Sequence, residues 1–430
     1  MDDNRLGTIL LEGGVVDEAA LERCLLIQSL TGGTRPIGQI VVEQGLMTAK
    51  DVQRLLDLQR ARALPSTDLA KPADLGSAAL FAAAIANGAT ELVVSEGRPA
   101  RIRVGCAWRQ LTEQVLGGPD VWDFVRETMG SDVLESLAEK DFVVRSWQRE
   151  GAGHGSATAF RQFDGVAVRI TFPSQRKNPT DPNAVHPAIA ETVKSGRGLV
   201  LVAAERGLGR ADALAPLLRL AAAEANHYVV VVDDEPVELP TSGALVVRRR
   251  YGLTPADRGA SLRSVVREDP DTLVIADVGS PETFELALRA AEGGRLVIAF
   301  LAATTATSAL LRVLNFYPSY DLPRVRSTLA AVLRAVSVQH ELPDADRTGT
   351  VVAKELLLVD EPVREVIRSG ELADLSLLIR AEGARCGHSL DRDMLELLAA
   401  GRVRIEDVFA RAEEKARVLE RTETLQATPR

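Results

Sequence analysis

Four stretches of the chain are apolar almost without interruption: GLVLV (198–202), YVVVV (228–232), DTLVIADV (271–278) and RLVIAFL (295–301). A strand that shows one face to water alternates apolar and polar residues, whereas a strand buried on both faces does not, so these runs predict parallel strands sandwiched between helices. Between them the apolar positions take helical spacing, as in DALAPLLRLAAAEA (212–225). Strands alternating with helices predict a parallel α/β sheet, whose ligands bind beyond the carboxyl ends of the strands. Upstream the pattern changes. A helix-like opening in ALFAAAIANGATELVVSEG (79–97) is followed by ARIRVGCAWRQL (100–111), SATAFRQF (156–163) and VAVRITF (166–172), which read as strands of a small α+β layer.

Two segments rich in Pro, Ser, Asp and Asn break both periodicities and divide the chain. The expected organisation is a helical domain at 1–60, a linker at 61–75, a small α+β domain at 76–173, a second linker at 174–186, an α/β domain with a helical C-terminal part at 187–415, and a charged tail at 416–430. The first domain holds an internal repeat. A shift of 31 positions lays LGTILLEGGVVDEAALERCLLIQ over IGQIVVEQGLMTAKDVQRLLDLQ, matching Gly7 to Gly38, Glu12 to Glu43, Gly14 to Gly45 and Gln28 to Gln59. Each copy predicts a short helix stopped at a glycine, then an N-cap, Asp17 or Thr48, opening a second helix.

Composition narrows the function classes. The 430 residues are 46% apolar and 26% charged, with a net charge of −9, ordinary for globular protein and unfavourable for broad attraction to nucleic acid or anionic lipid. Cys24, Cys106 and Cys386 form no C-x-x-C pair, which argues against a zinc ribbon or a disulfide framework, and no metal site is expected. No apolar run approaches the roughly 18 residues of a membrane span, so the expectation is a cytoplasmic protein that reaches a membrane only through a partner.

The run SLRSVVREDPDTLVIADVGSPETFELALRAAEGGRLVIAFLAATTATSALLRVLNFYP (261–318) resembles the motor domain of type II secretion and type IV pilus ATPases, and LLVDEPVREVIRSGEL (357–372) and SLDRDMLELLAAGRVRIEDVFARA (389–412) resemble its helical C-terminal part. The resemblance covers nearly the whole chain and implies a RecA-like P-loop core. In the α+β segment Arg103, Arg109 and Arg161 fall on family positions. At the N-terminus, R-L-G-x-x-L-L-x-x-G-V-V followed by L-x-x-x-L-x-x-Q is similar to a tandem motif that binds cyclic di-GMP in some members. It implies a site at Arg5, Leu6, Gly7, Leu10, Leu11, Gly14 and Gln28; the second copy carries Pro36 where the arginine should stand.

The family's chemistry is eroded. A phosphate loop reads G-x-x-x-x-G-K-[ST], with backbone amides around the phosphate, a lysine on its outer oxygens and a hydroxyl on magnesium. The corresponding residues run from Ala204 to Ala211. Gly207 and Gly209 remain, Arg210 replaces the lysine with a bulkier planar cation, Ala211 has no hydroxyl, and Glu205 adds a carboxylate where phosphates belong. The first acidic box becomes Asp234, Glu235, Pro236, Val237, Glu238, and the second becomes Ala276-Asp277, one methylene shorter than the family's glutamate. Both family histidines are replaced, the second by the stretch Leu301, Ala302, Ala303, and the chain's own histidines (154, 186, 227, 340 and 388) stand elsewhere in the sequence. Losing one charge-stabilising group costs about 100-fold or more in rate. Efficient turnover of ATP with magnesium is therefore not expected from Asp234, Glu235, Glu238 and Asp277. The favoured function is a non-catalytic regulatory or assembly subunit, a homo-oligomer or a hetero-oligomer with a competent ATPase, on the inner-membrane platform of a pilus or secretion machine and responsive to cyclic di-GMP. The alternative is a working motor with a non-standard nucleotide site.

Overall fold

The computed structural model describes residues 70–415 except 73, 106, 150–152, 164, 173–184, 205–209, 225, 234–242, 250, 252–254, 348 and 382–384, together with 20, 24, 37–44, 46, 47 and 418. The chain divides into two compact units, residues 1–68 with 394–430, and residues 69–393. In the first, helix α1 (Ile37–Glu43) carries Ile40 and Val41, both buried.

The second unit begins with α2 (Ser77–Ala86), β1 (Glu91–Ser95), β2 (Arg101–Val104), β3 (Ala107–Gln110), α3 (Gly118–Met129), α4 (Asp132–Glu139), β4 (Phe142–Arg149), β5 (Gly153–Gln162) and β6 (Gly165–Thr171). The six strands pair antiparallel in the order β3-β2-β1-β6-β5-β4. Strand alternation sends Leu92, Val94, Ile102, Val168 and Ile170 to one face, where they share a core with Phe81 of α2 and Phe124 of α3. On the other face Glu91, buried, lies between Arg169 at 2.7 Å and Arg103 at 3.5 Å.

The rest of the unit comprises α5 (Pro187–Lys194), β7 (Gly198–Ala204), α6 (Arg210–Ala221), β8 (Tyr228–Val232), β9 (Leu245–Arg249), α7 (Pro255–Arg267), β10 (Thr272–Ile275), α8 (Pro281–Glu292), β11 (Leu296–Ala302), α9 (Ala306–Leu314), α10 (Leu322–Val332), β12 (Leu333–Pro343), β13 (Thr350–Leu358), α11 (Glu361–Ser369), α12 (Ala373–Arg380) and β14 (Gly387–His388). Two helices lie further on, α13 (Leu390–Ala399) and α14 (Ile405–Arg411). The eight strands run in the order β14-β13-β12-β7-β11-β10-β8-β9. From β12 to β9 every pairing is parallel; β13 and β14 add an antiparallel flank.

The apolar runs are continuous because each strand feeds two cores. Leu199, Leu201, Ala203, Leu273, Ile275, Val297 and Ala299 face α7 to α10, while Val200, Val202, Val229, Val231, Val274 and Ile298 face α5 and α6. All seven residues of β7 are buried. Full burial of such a side chain contributes roughly 1.5–3 kcal/mol relative to exposure, so charge is excluded from both faces of these strands. Strands β12 and β13 are not among the four apolar runs. Ser337, Gln339, His340, Glu341 and Glu355 interrupt them, and all five are nonetheless buried.

Candidate functional site

The carboxyl ends of β7, β8, β10 and β11 line one edge of the sheet. Beyond β7, residue 210 opens α6, but Gly207 and Gly209 and the side chains of Arg210 and Ala211 lie outside the described residues. Beyond β8 comes Asp233, buried, and then Asp234, Glu235 and Glu238, which also lie outside them. So do Arg5, Leu6, Gly7, Leu10, Leu11, Gly14 and Gln28. Asp277 is the predicted site residue whose side chain is placed.

The turn that positions Asp277 is built locally. Its Oδ1 accepts the Gly279 amide at 2.8 Å, the amide of Val278 donates to the carbonyl of Phe300 at 2.9 Å, and Ser280 caps α8 with Pro281 at the first helical position. The other carboxylate oxygen, Oδ2, accepts Nη1 of Arg258 at 3.0 Å. The guanidinium of Arg258 stands 5.1 Å from the ring centroid of Tyr251. Tyr251, itself buried, donates its hydroxyl to the carbonyl of Asp277. Residue 277 is thus held at its backbone by Tyr251 and at its side chain by Arg258, and the sequence carries no motif that announces Arg258.

These residues can be tested against the magnesium that the family resemblance implies. Magnesium demands six oxygens in octahedral array at about 2.0–2.1 Å. Both oxygens of Asp277 already have hydrogen-bond donors, and the residue at the magnesium-hydroxyl position is Ala211. A divalent ion placed about 4 Å from a guanidinium meets a repulsion of several kcal/mol even at an effective dielectric of about 20. No group of three or more His, Cys, Asp or Glu suited to a metal exists among the described residues. As they stand, the described donors do not fit a divalent cation.

The loop after β11, where the sequence resemblance expects the second family histidine, is held from a different side. His340 of β12 brings Nε2 to 2.8 Å from the carbonyl of Thr304, and because a carbonyl only accepts, Nε2 carries the proton. Glu355 of β13 accepts the amide of Ala306 at 2.7 Å, and Arg312 donates to the carbonyl of Ala302 at 3.0 Å. Thr305 and Ser308 complete a reciprocal cap on α9. Sequence spacing gave no sign of His340, which lies 36 residues from its partner.

On the opposite face of β12 and β13 a small, open cleft is lined by His186, Ile189, Leu217, Gln339, Lys354 and His388, among others. His186 caps α5 by accepting the Ala188 amide on Nδ1 at 3.2 Å. Burial holds its pKa below the ordinary histidine value, with His388 and Lys354 adding repulsion. The two imidazole centroids are 6.0 Å apart, and Nε2 of His388 lies 3.5 Å from Asp393. Of the family-position arginines, Arg103 pairs with Glu91 and stands 6.0 Å from the Trp108 ring, while Arg161 is exposed.

Residues 153–428 match the family model described as type II/IV secretion system protein. The type IV pilus retraction ATPase PilT of Pseudomonas aeruginosa is 29% identical over 350 residues, spanning 79% of this chain and 98% of that protein. The type IV pilus ATPase PilU of the same organism is 25% identical, over 76% of this chain and 86% of its own. The twitching motility protein of Neisseria gonorrhoeae is 28% identical over 73% and 84%. Among solved structures, the pilus retraction motor PilT with bound ADP aligns at a TM-score of 0.65 and 24% identity, covering 81% of this chain and 100% of that one. The ATPase DotB of Legionella pneumophila aligns at 0.63 and 17%, covering 80% and 96%. The two structural likenesses establish the α/β fold with a RecA-like core.

Proposed function

Because the chain belongs to the type II/IV secretion system protein family, we propose that it serves a pilus or secretion machine as a regulatory or assembly subunit and not as its motor. The observation that carries this reading is Asp277: the one described carboxylate of the acidic boxes is engaged by Arg258 and the Gly279 amide, while Ala211 offers no hydroxyl. The intact double core supports the same reading, since a scaffold can present a docking surface after its reaction is lost. Its partners in this proposal are further copies of itself or a competent ATPase, on a cytoplasmic surface of an inner-membrane platform. No described helix is long and apolar enough to cross a membrane.

Full-length protein given magnesium and ATP is expected to show no turnover above background. Hydrolysis on the order of 1 per second, lost in Arg210→Ala, would instead establish a motor. That second reading is favoured by the 98% coverage of a relative named as a retraction ATPase. Cyclic di-GMP sensing through Arg5, Gly7, Gly14 and Gln28 belongs to the proposal too. Calorimetric titration should give binding heat that Arg5→Ala abolishes, and a flat titration of the wild type would remove sensing from it.

A further inference from the structure

The misfit between Asp277 and a divalent ion has a specific cause, and we infer that Arg258 is a built-in counter-ion that takes the place of a divalent cation on Asp277. The inference rests on the non-catalytic reading only in treating Asp277 as the acidic-box residue.

Three features make Arg258 a substitute and not an incidental surface pair. Its Nη1 approaches Oδ2 at 3.0 Å, on the carboxylate oxygen that the local turn leaves over, since Oδ1 is taken by Gly279. The guanidinium lies beside the ring of Tyr251, whose π face favours a cation there. Tyr251 is almost wholly buried and bonded to the carbonyl of the very residue that Arg258 neutralises, so the cation and its carboxylate are referenced to one anchor. A planar guanidinium satisfies a carboxylate by hydrogen bonds and keeps its charge at any physiological pH, so the site is neutralised without a dissociable ion. A carboxylate so neutralised has no net charge to offer a metal. Removing the guanidinium should recreate that demand.

The test uses the full chain, without nucleotide, and reads melting temperature against Mn²⁺ concentration, because an ion that binds only the folded state raises it. Wild type should not respond beyond the small shift seen with Asp277→Asn. Arg258→Ala should melt lower and regain the loss as Mn²⁺ is added. Arg258→Met keeps an unbranched stem beside Tyr251 and should behave likewise, which guards against a folding defect in the alanine variant. Adding Asp277→Asn to either should abolish the response. Electron paramagnetic resonance of free Mn²⁺ should report at least tenfold tighter binding by the single variants than by wild type. Asp277-dependent Mn²⁺ stabilisation of the wild type would overturn the inference, as would folded Arg258→Ala and Arg258→Met that ignore Mn²⁺. The non-catalytic reading is judged separately, by turnover of ATP, although Asp277-dependent Mn²⁺ stabilisation of the wild type would also remove the observation that carries it.

Discussion

The loops leaving β10 and β11 start from the same edge of the same sheet, one strand apart, and are secured by opposite means. After β10 a charged pair, each side chain about 30% exposed, joins a turn to a helix. After β11 the bonds are aimed at backbone: His340 at the carbonyl of Thr304, Glu355 at the amide of Ala306, both side chains buried in the β12–β13 hairpin. The first arrangement exchanges one cation for another at a carboxylate. The second pairs no side-chain charges and ties the backbone of the loop to the hairpin beneath it. One edge of the sheet thus secures its loops in two ways, by pairing charges and by bonding backbone.

Three measurements would break or sharpen this contrast. The largest effect is expected from Glu355→Ala, which strands the buried amide of Ala306 and removes a carboxylate from the start of α9; unfolding in urea should show a loss of about 2–3 kcal/mol. A loss under about 0.5 kcal/mol would mean that the second loop is not held by its hairpin. Arg258→Met should cost about 1 kcal/mol or less without added ion, the range of partly exposed pairs. A cost equal to that of Glu355→Ala would erase the distinction between the loops. The smallest effect belongs to the other face of the hairpin. The pKa of His186 is held below its unfolded value of 6.5 by burial and by its cationic neighbours. Below pH 6.5 the unfolded chain takes up that proton first, so stability is full above this value and falls until the folded-state pKa is passed. Melting curves between pH 7.5 and 5.5 should show a small decline in stability that His186→Asn, which can still cap α5, removes.

Much of this was legible in the chain. The four apolar runs became β7, β8, β10 and β11 with ends shifted by no more than a few residues, because two-sided burial leaves a pattern that no other local structure imitates as well. Strands β12 and β13 were illegible for the converse reason: the side chains that do their tertiary work, Gln339, His340 and Glu355, are polar, and local pattern cannot tell a buried capping carboxylate from a solvated one. At the site, Asp277 could be found because it falls where the family resemblance puts the second acidic box. Arg258 could not, since the pair spans 19 residues and is closed by the placement of α7, which only the folded chain supplies.

The strand order carries one more implication. With β11 between them, the ends of β7 and β10 are two strand spacings apart, about 10 Å given the usual interval of about 4.8 Å. Side chains reaching inward from both loops can meet across that distance, and the strand between them ends at Ala302, followed by Ala303, whose methyls donate nothing. The sheet therefore sets the interval between the two loops as a matter of topology, and any occupant of this edge meets the same span, whatever chemistry it brings.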